Sequence, residues 1–436
     1  MVWGRTPIDH SPRLAATGKD AMLEIAALFI TITALFAWFN YRFIKLPATI
    51  GVMFISLMAS LLLIALSHLG FDAITDWAEA WLGQINFNAL LMDGMLSFLL
   101  FAGALHVDFH KLKRYRYSIS FLATIGVVIS TVAIGSAAWW LFATFHMAVP
   151  YLYCLVFGAL ISPTDPIAVL GIMRSAGAPE DMEIKIVGES LFNDGVAVVV
   201  FTVMLGAATA TEALTVSHSA MLFLEEAGGG ILLGLVMGYI AYRMMKSIDQ
   251  YQIEVLVSLA LVLGGYTLAT HLHVSGPISM VIAGLFIGNR GREHAMSDTT
   301  RRYVDGFWEL IDEILNAVLF VLIGLELLLI PFEWSYLIVA APIIGVILVT
   351  RLITIGLPMM MLKRWIHYRP GTTRVLTWGG LRGGISVALA LGLPESDYRN
   401  TIVMVTYLIV LFSILVQGLT IGGLVQRVLS QEADKS

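Results

Sequence analysis

Apolar runs of membrane-crossing length follow one another from residue 21 to residue 426, separated by short polar stretches. A helix needs about 20 apolar residues to cross the hydrocarbon of a bilayer. The pattern predicts thirteen spans, near 21–41, 48–68, 88–107, 118–145, 151–173, 184–209, 219–242, 252–271, 276–289, 306–330, 334–361, 373–393 and 400–426. The ninth is short, and a polar stretch over 209–219 parts the sixth from the seventh. Residues 70–87 form a longer connection in which Trp77 and Trp81 stand four apart. That spacing predicts a short amphipathic helix with its indole rings among lipid headgroups.

Composition turns this pattern into a class. The 436 residues are 58% hydrophobic and 13% charged, against about 45–50% apolar and about 25% charged in soluble domains. The 26 Lys+Arg and 31 Asp+Glu cannot cover a soluble globule of this size. A soluble enzyme, a nucleic-acid binder and a disordered scaffold are excluded. The net charge of -5 points to no partner. A lone cysteine, Cys154, excludes a disulfide framework or a cysteine-ligated metal cluster and reads as a small core side chain. Residues 1–20, with Pro7, Pro12 and Gly18, read as a loose polar tail without a clear signal peptide, and 427–436 as a short polar tail. No soluble domain is expected at either end.

Charge placement tests the count. Basic residues collect in cytoplasmic loops. Loops 1/2 (Arg42, Lys45), 3/4 (Lys111, Lys113, Arg114, Arg116), 5/6 (Arg174, Lys185) and 7/8 (Arg243, Lys246) fall on one side. So do loops 9/10 (Arg290, Arg292, Arg301, Arg302) and 11/12 (Lys363, Arg364, Arg369, Arg374), and the C-terminal tail (Arg427, Lys435). Together they hold 20 of the 26 basic residues, whereas the loops of the other side hold only Arg399. The alternation predicts an outside N-terminus and a cytoplasmic C-terminus. Arg5, Arg13 and Lys19 in the N-terminal tail oppose it.

Ionisable groups inside spans are costly and mark functional paths. Span 5 holds Asp165, span 6 Glu189 and Asp194, span 11 Arg351 and span 12 Arg382. Glu254, Glu309, Asp312, Glu313 and Glu326 fall near span ends and read as reaching headgroups or capping helices; Asp93 is open between a structural and a functional role. In span 5, Pro163 and Pro166 remove backbone donors and push Ser162 and Asp165 out of helical geometry, so the helix must break there. In span 12, Gly379, Gly380, Gly383 and Gly384 surround Arg382 and weaken the helix, or serve close packing. Span 5 is fifth among spans 1–6 and span 12 fifth among spans 8–13. The offset of seven is odd, so the two run in opposite directions, as in an inverted-topology repeat, whose interrupted spans point to the transport site. On span 6, Ser190, Asn193 and Asp194 can face the broken segment with Thr164 and Asp165. Carboxylate, hydroxyl, amide and carbonyl oxygens suit a small hard cation, and no His/Cys cluster suggests a soft metal.

These residues carry a resemblance. Ser162-Pro163-Thr164-Asp165-Pro166, Gly188-Glu189-Ser190-Leu191-Phe192-Asn193-Asp194-Gly195 and Gly379-Gly380-Leu381-Arg382-Gly383 resemble the cation/proton antiporter-1 family, including NhaP-type sodium/proton antiporters and eukaryotic sodium/proton exchangers. Span 3, over 98–105, and Asp108 look like it too, and the likeness covers nearly the whole chain. It departs at Ala102, where many relatives carry a carboxylate, and the long C-terminal regulatory domain of many eukaryotic relatives is not expected here. The resemblance implies an all-α polytopic membrane protein of thirteen transmembrane helices. It would have two inverted six-helix repeats (21–209 and 252–426) joined by a linking helix (219–242), unwound spans 5 and 12 that cross, and a homodimer. It implies that Asp194 exchanges H+ for a cation, with Asp165, Thr164, Ser190 and Asn193 binding or shaping the site and Asp194, Asp165 and Ser190 as Na+ ligands. Glu189 would pair with Arg351 or Arg382. The partners implied are Na+ (or Li+ or K+), H+ and lipid, with no cofactor and no enzymatic activity. Asn193 cannot titrate, and the Asn-Asp pair implies one H+ per Na+.

Other classes predict other features. A cation channel would give single-channel currents, and a metabolite uptake carrier would show more aromatic and polar side chains at midplane. An intramembrane aspartyl protease would flank its aspartates with glycine, whereas Asp165 lies between prolines. His271 and His273 make a loop pair without a third ligand, and His294 lies among cytoplasmic arginines.

Overall fold

The computed structural model describes residues 18–70, 72–209, 216–330, 333–362 and 371–433. Arg5, Arg13, Lys363, Arg364, Arg369 and Lys435, most of the expected 1–20 tail and most of the 209–219 stretch lie outside the described residues. Among the described residues all regular structure is helical. The main helices are α1 (Gly18–Phe39), α2 (Ala48–His68), α3 (Asp72–Leu82), α4 (Leu96–Leu105), α5 (Ile125–Thr144), α6 (Tyr151–Ile161), α7 (Ile167–Ser175), α8 (Glu180–Thr209) and α9 (Val216–Met245). They continue with α10 (Tyr251–His271), α11 (Gly276–Phe286), α12 (Asp298–Leu325), α13 (Trp334–Leu362), α14 (Thr372–Trp378), α15 (Gly384–Leu391), α16 (Arg399–Phe412) and α17 (Leu419–Ala433).

Nine helices among the described residues are long and apolar enough to cross a membrane. They match predicted spans 1–4, 6–8, 11 and 13. The other four predicted spans differ for physical reasons. Span 5 divides into α6 and α7 around its prolines, and span 12 into α14 and α15 around its glycines. Span 9 is the short α11, extended by a π-helical turn over Ile287–Gly291. Span 10 is α12, which begins at Asp298, earlier than the hydropathy suggests, because its first half is amphipathic. That shift changes the place of Glu309, Asp312 and Glu313, which lie in mid-helix rather than near a span end. The predicted connection helix forms as α3, with Trp77 exposed and Trp81 packed against the core.

Buried apolar side chains form two clusters. The first joins α5, α6 and α8 to α13, α15 and α16, so it draws on both halves of the chain. The second joins α4 to α10, α11 and the first half of α12. Helix α12 spans both: Trp308 lies in the second cluster and Phe320 in the first. Helix α9 turns Leu224, Leu232, Val236 and Ile240 outward, a surface suited to lipid.

Candidate functional site

The two helix breaks meet, and each completes the other. In an unbroken helix the Ser162 carbonyl would accept from the N–H of residue 166, but Pro166 has none. Arg382 supplies the missing donor: its Nη1 donates to the carbonyls of Ser162 (2.7 Å) and Pro163 (2.8 Å). In return the Asp165 N–H donates to the Leu381 carbonyl at 2.8 Å. The approach needs glycine at 383, where a Cβ would lie 2.8 Å from the Asp165 carboxyl carbon. A third element closes the second break. Ser413 Oγ accepts from the Arg382 N–H (2.8 Å) and donates to Gln417 Oε1 (2.9 Å), while Gln417 Nε2 donates to the Trp378 carbonyl (3.0 Å). Both residues lie on a π-helical segment, Ser413–Gly418, and π turns often mark functional sites.

Helix α8 packs against the first break. Asn193 Nδ2 donates to Thr164 Oγ1 at 2.8 Å, and the hydroxyls of Thr164 and Ser190 lie 3.0 Å apart. The Thr164 N–H donates to Asn193 Oδ1 at 3.4 Å. Thr164, Ser190, Asn193 and Asp194 are all buried. Asp194 and Asp165 line one cavity of about 1080 Å³, near enough to repel one another. The cavity extends to His106, Lys111 and Arg174 at the end that carries basic loops. At its mouth Lys111 pairs with Glu180, and Arg174 Nε with Glu183 at 3.1 Å.

One helical step from Ser190, Glu189 points the other way. It forms a two-pronged ion pair with Arg351 of α13: Nη1 donates to Oε1, and Nη2 to Oε2 at 3.1 Å. The pairing left open between two arginines therefore falls to Arg351, while Arg382 bonds to backbone carbonyls instead. Gly380 makes room for the pair, since a Cβ there would lie 2.6 Å from the Arg351 guanidinium carbon. The second break is thus tied to α8 through Arg351 and to the first break through Arg382.

Sequence reasoning missed four of these residues. Ser413 and Gln417 are a polar pair at i, i+4 in an otherwise apolar span, a signal available in the sequence. Asp312 and Asn316 show the same spacing, and both line the cavity. Asp312 therefore does not serve as a headgroup anchor at a span end. Glu254 is buried in the first turn of α10, at the span end where a capping carboxylate is expected. Asp93 is exposed on a π-helical turn.

A helical membrane protein in which two interrupted helices cross beside buried carboxylates, open to a deep cavity, has the architecture of a secondary transporter. The family model for "Sodium/hydrogen exchanger, transmembrane" matches residues 25–427, and the chain belongs to that family, one of transporters and not enzymes. It is 55% identical over 420 residues to the Na(+)/H(+) antiporter NhaP of Pseudomonas aeruginosa, covering 95% of this chain and 99% of that one. It is 33% identical over 414 residues to the Na(+)/H(+) antiporter NhaH of Halobacillus aidingensis, covering 93% and 96%. Its fold is similar to that of the sodium proton antiporter MjNhaP1 of Methanocaldococcus jannaschii, with a TM-score of 0.73 at 20% identity over 94% of this chain and 99% of that chain.

Proposed function

We propose that the protein exchanges a monovalent cation, Na+ foremost and Li+ or K+ as further candidates, for H+ across a cell membrane. The observation that carries this reading is the place of Asp194, buried in the cavity wall and near Asp165. An ionised carboxylate away from water is costly unless an ion neutralises it. Asp194 can hold H+ or Na+, but not both well, so a core that moves only when this charge is compensated couples the two fluxes. The relatives at 55% and 33% identity, both called Na(+)/H(+) antiporters, support the choice of ions.

In this reading Asp194, Asp165 and Ser190 contact the cation, and Thr164 and Asn193 fix the broken backbone and span 6 around it. Glu189 and Arg351 form a structural pair. Asn193 carries no charge, so the Asn193-Asp194 pair offers one exchangeable proton, at Asp194, and the exchange is electroneutral. The nine long helices and the four interrupted, short or acidic ones make thirteen spans. Segments 21–209 and 252–426 are inverted repeats, and 219–242 is the link; a broken helix fifth in each repeat supports this division. The C-terminus is cytoplasmic and the N-terminus outside, so the cavity mouth at Lys111 and Arg174 faces the cytoplasm. A homodimer and a role in pH homeostasis follow from the family resemblance.

The test is Asp194→Asn in proteoliposomes with a trapped pH dye. Na+-driven H+ movement is expected to fall to the level of empty liposomes, and retained exchange overturns the assignment. With the wild-type protein, a clamped membrane potential is expected to leave the rate unchanged; a strong dependence overturns the one-to-one stoichiometry.

A further inference from the structure

The cavity has a second group of oxygens that the exchange site does not use. Glu309, Asp312, Glu313 and Asn316 of α12 line it together with Asp165 and Asp194. Asp312 and Asn316, at i, i+4, share one face of the helix. The Asp312 carboxylate is close enough to Asp165 for the two to repel, with Glu309 and Glu313 adding charge of the same sign. Asn316 is only 1% exposed. Its Nδ2 donates to the Asp312 carbonyl at 2.8 Å, which fixes the amide orientation, since a carbonyl cannot accept from Oδ1. Oδ1 is then buried without a hydrogen-bond partner on a residue of the cavity wall. Such an acceptor calls for an unseen donor or cation. The cationic residues at the mouth, Lys111 and Arg174, are engaged with Glu180 and Glu183.

We propose that Asp312 and the Asn316 amide oxygen form a second cation position in the cavity wall, near Asp165, which holds a monovalent cation in transit to Asp194. The proposal rests on the reading of this cavity as the transport path. It gives the cation a stop between the mouth and the exchange site: oxygen ligands replace part of its water, and the Asp165 charge lies next in line. An anion is excluded here by four carboxylates. Asp312 does not trade its proton for the cation in this scheme; it positions the cation for Asp194.

Two measurements test it. In proteoliposomes, Asp312→Asn and Asn316→Leu are expected to raise the KM for Na+ about tenfold, with a smaller change in maximal rate, as removal of one charge-assisted contact does. Asp312→Glu should restore most of the affinity. Unchanged KM in both variants overturns the proposal. An equal fall in maximal rate for Asp312→Asn and Asp312→Glu, at constant KM, also overturns it, since that marks a structural role. The second measurement is equilibrium binding of 22Na+ to purified Asp194→Asn protein in detergent. A weak residual site that disappears on adding Asp312→Asn supports the proposal, and no residual binding overturns it. Retained exchange in Asp194→Asn alone sinks the exchange-site reading instead, so the two failures are distinct.

Discussion

The break between α6 and α7 is made by two prolines and holds an acid, whereas the break between α14 and α15 is made by glycines and holds a base. Proline opens a helix by removing donors, so the first break has carbonyls to satisfy. Glycine opens it by lowering the cost of leaving helical geometry and by clearing space. The second break can therefore admit the Asp165 carboxyl group at Gly383 and the Arg351 guanidinium at Gly380. The two breaks are complementary: one lacks donors, and the other supplies an arginine with donors to give. Neither could stay unwound alone in a membrane, where unmet backbone groups have no water to turn to.

The largest effect is expected from Arg382→Ala. It leaves the Ser162 and Pro163 carbonyls without their shared donor, at about 3–6 kcal/mol for the two bonds, since hydrogen bonds to charged groups contribute about 1.5–3 kcal/mol each. The thermal unfolding midpoint in detergent should drop sharply and exchange should be lost. A variant with wild-type stability would break the comparison, because the first break would then hold itself open.

The Glu189–Arg351 pair sharpens it. Removing either partner leaves a buried charge alone, at about 3–5 kcal/mol. Replacing both, as Glu189→Leu with Arg351→Met, should cost less than either single change in the same unfolding assay. If Arg351→Ala proves harmless while Arg382→Ala does not, the second break depends on the first and not on α8.

The smallest effect is expected at the cavity mouth, far from both breaks. Its hydrogen bond and charge interaction with Glu180 raise the pKa of Lys111 above the ordinary lysine value. A raised pKa means the pair's contribution is complete below about pH 10, the unfolded lysine value, and is lost only as pH rises through the folded one. Lys111 is half-exposed, and solvent screens the pair. Lys111→Gln should therefore leave the shape of the exchange profile between pH 6 and 9 unaltered. A shifted profile would place part of the pH response at the mouth rather than at the crossing.

Much of the site was legible because its chemistry is local. Prolines flanking Asp165, glycines flanking Arg382 and the 189–194 run on one helix are facts of spacing, and each has a consequence within a few residues. Asp312 was misread because hydropathy alone puts it at the edge of a span. The amphipathic start of α12 extends the helix back to Asp298 and brings the acid into the cavity wall. Ser413 and Gln417 went unnoticed because their task, satisfying the second break, exists only once that break has a geometry.

By itself the sequence determined that the chain spans a membrane, which helices break and which charges lie inside. Hydropathy, proline stereochemistry and glycine's missing side chain act within a few residues, and they leave a readable pattern. Only the tertiary structure decided that Arg351 takes Glu189 while Arg382 takes the carbonyls of the other break. Both arginines are buried and both could reach an acid on paper. The choice depends on which backbone groups the neighbouring helix leaves unmet, and that is a property of the packed bundle.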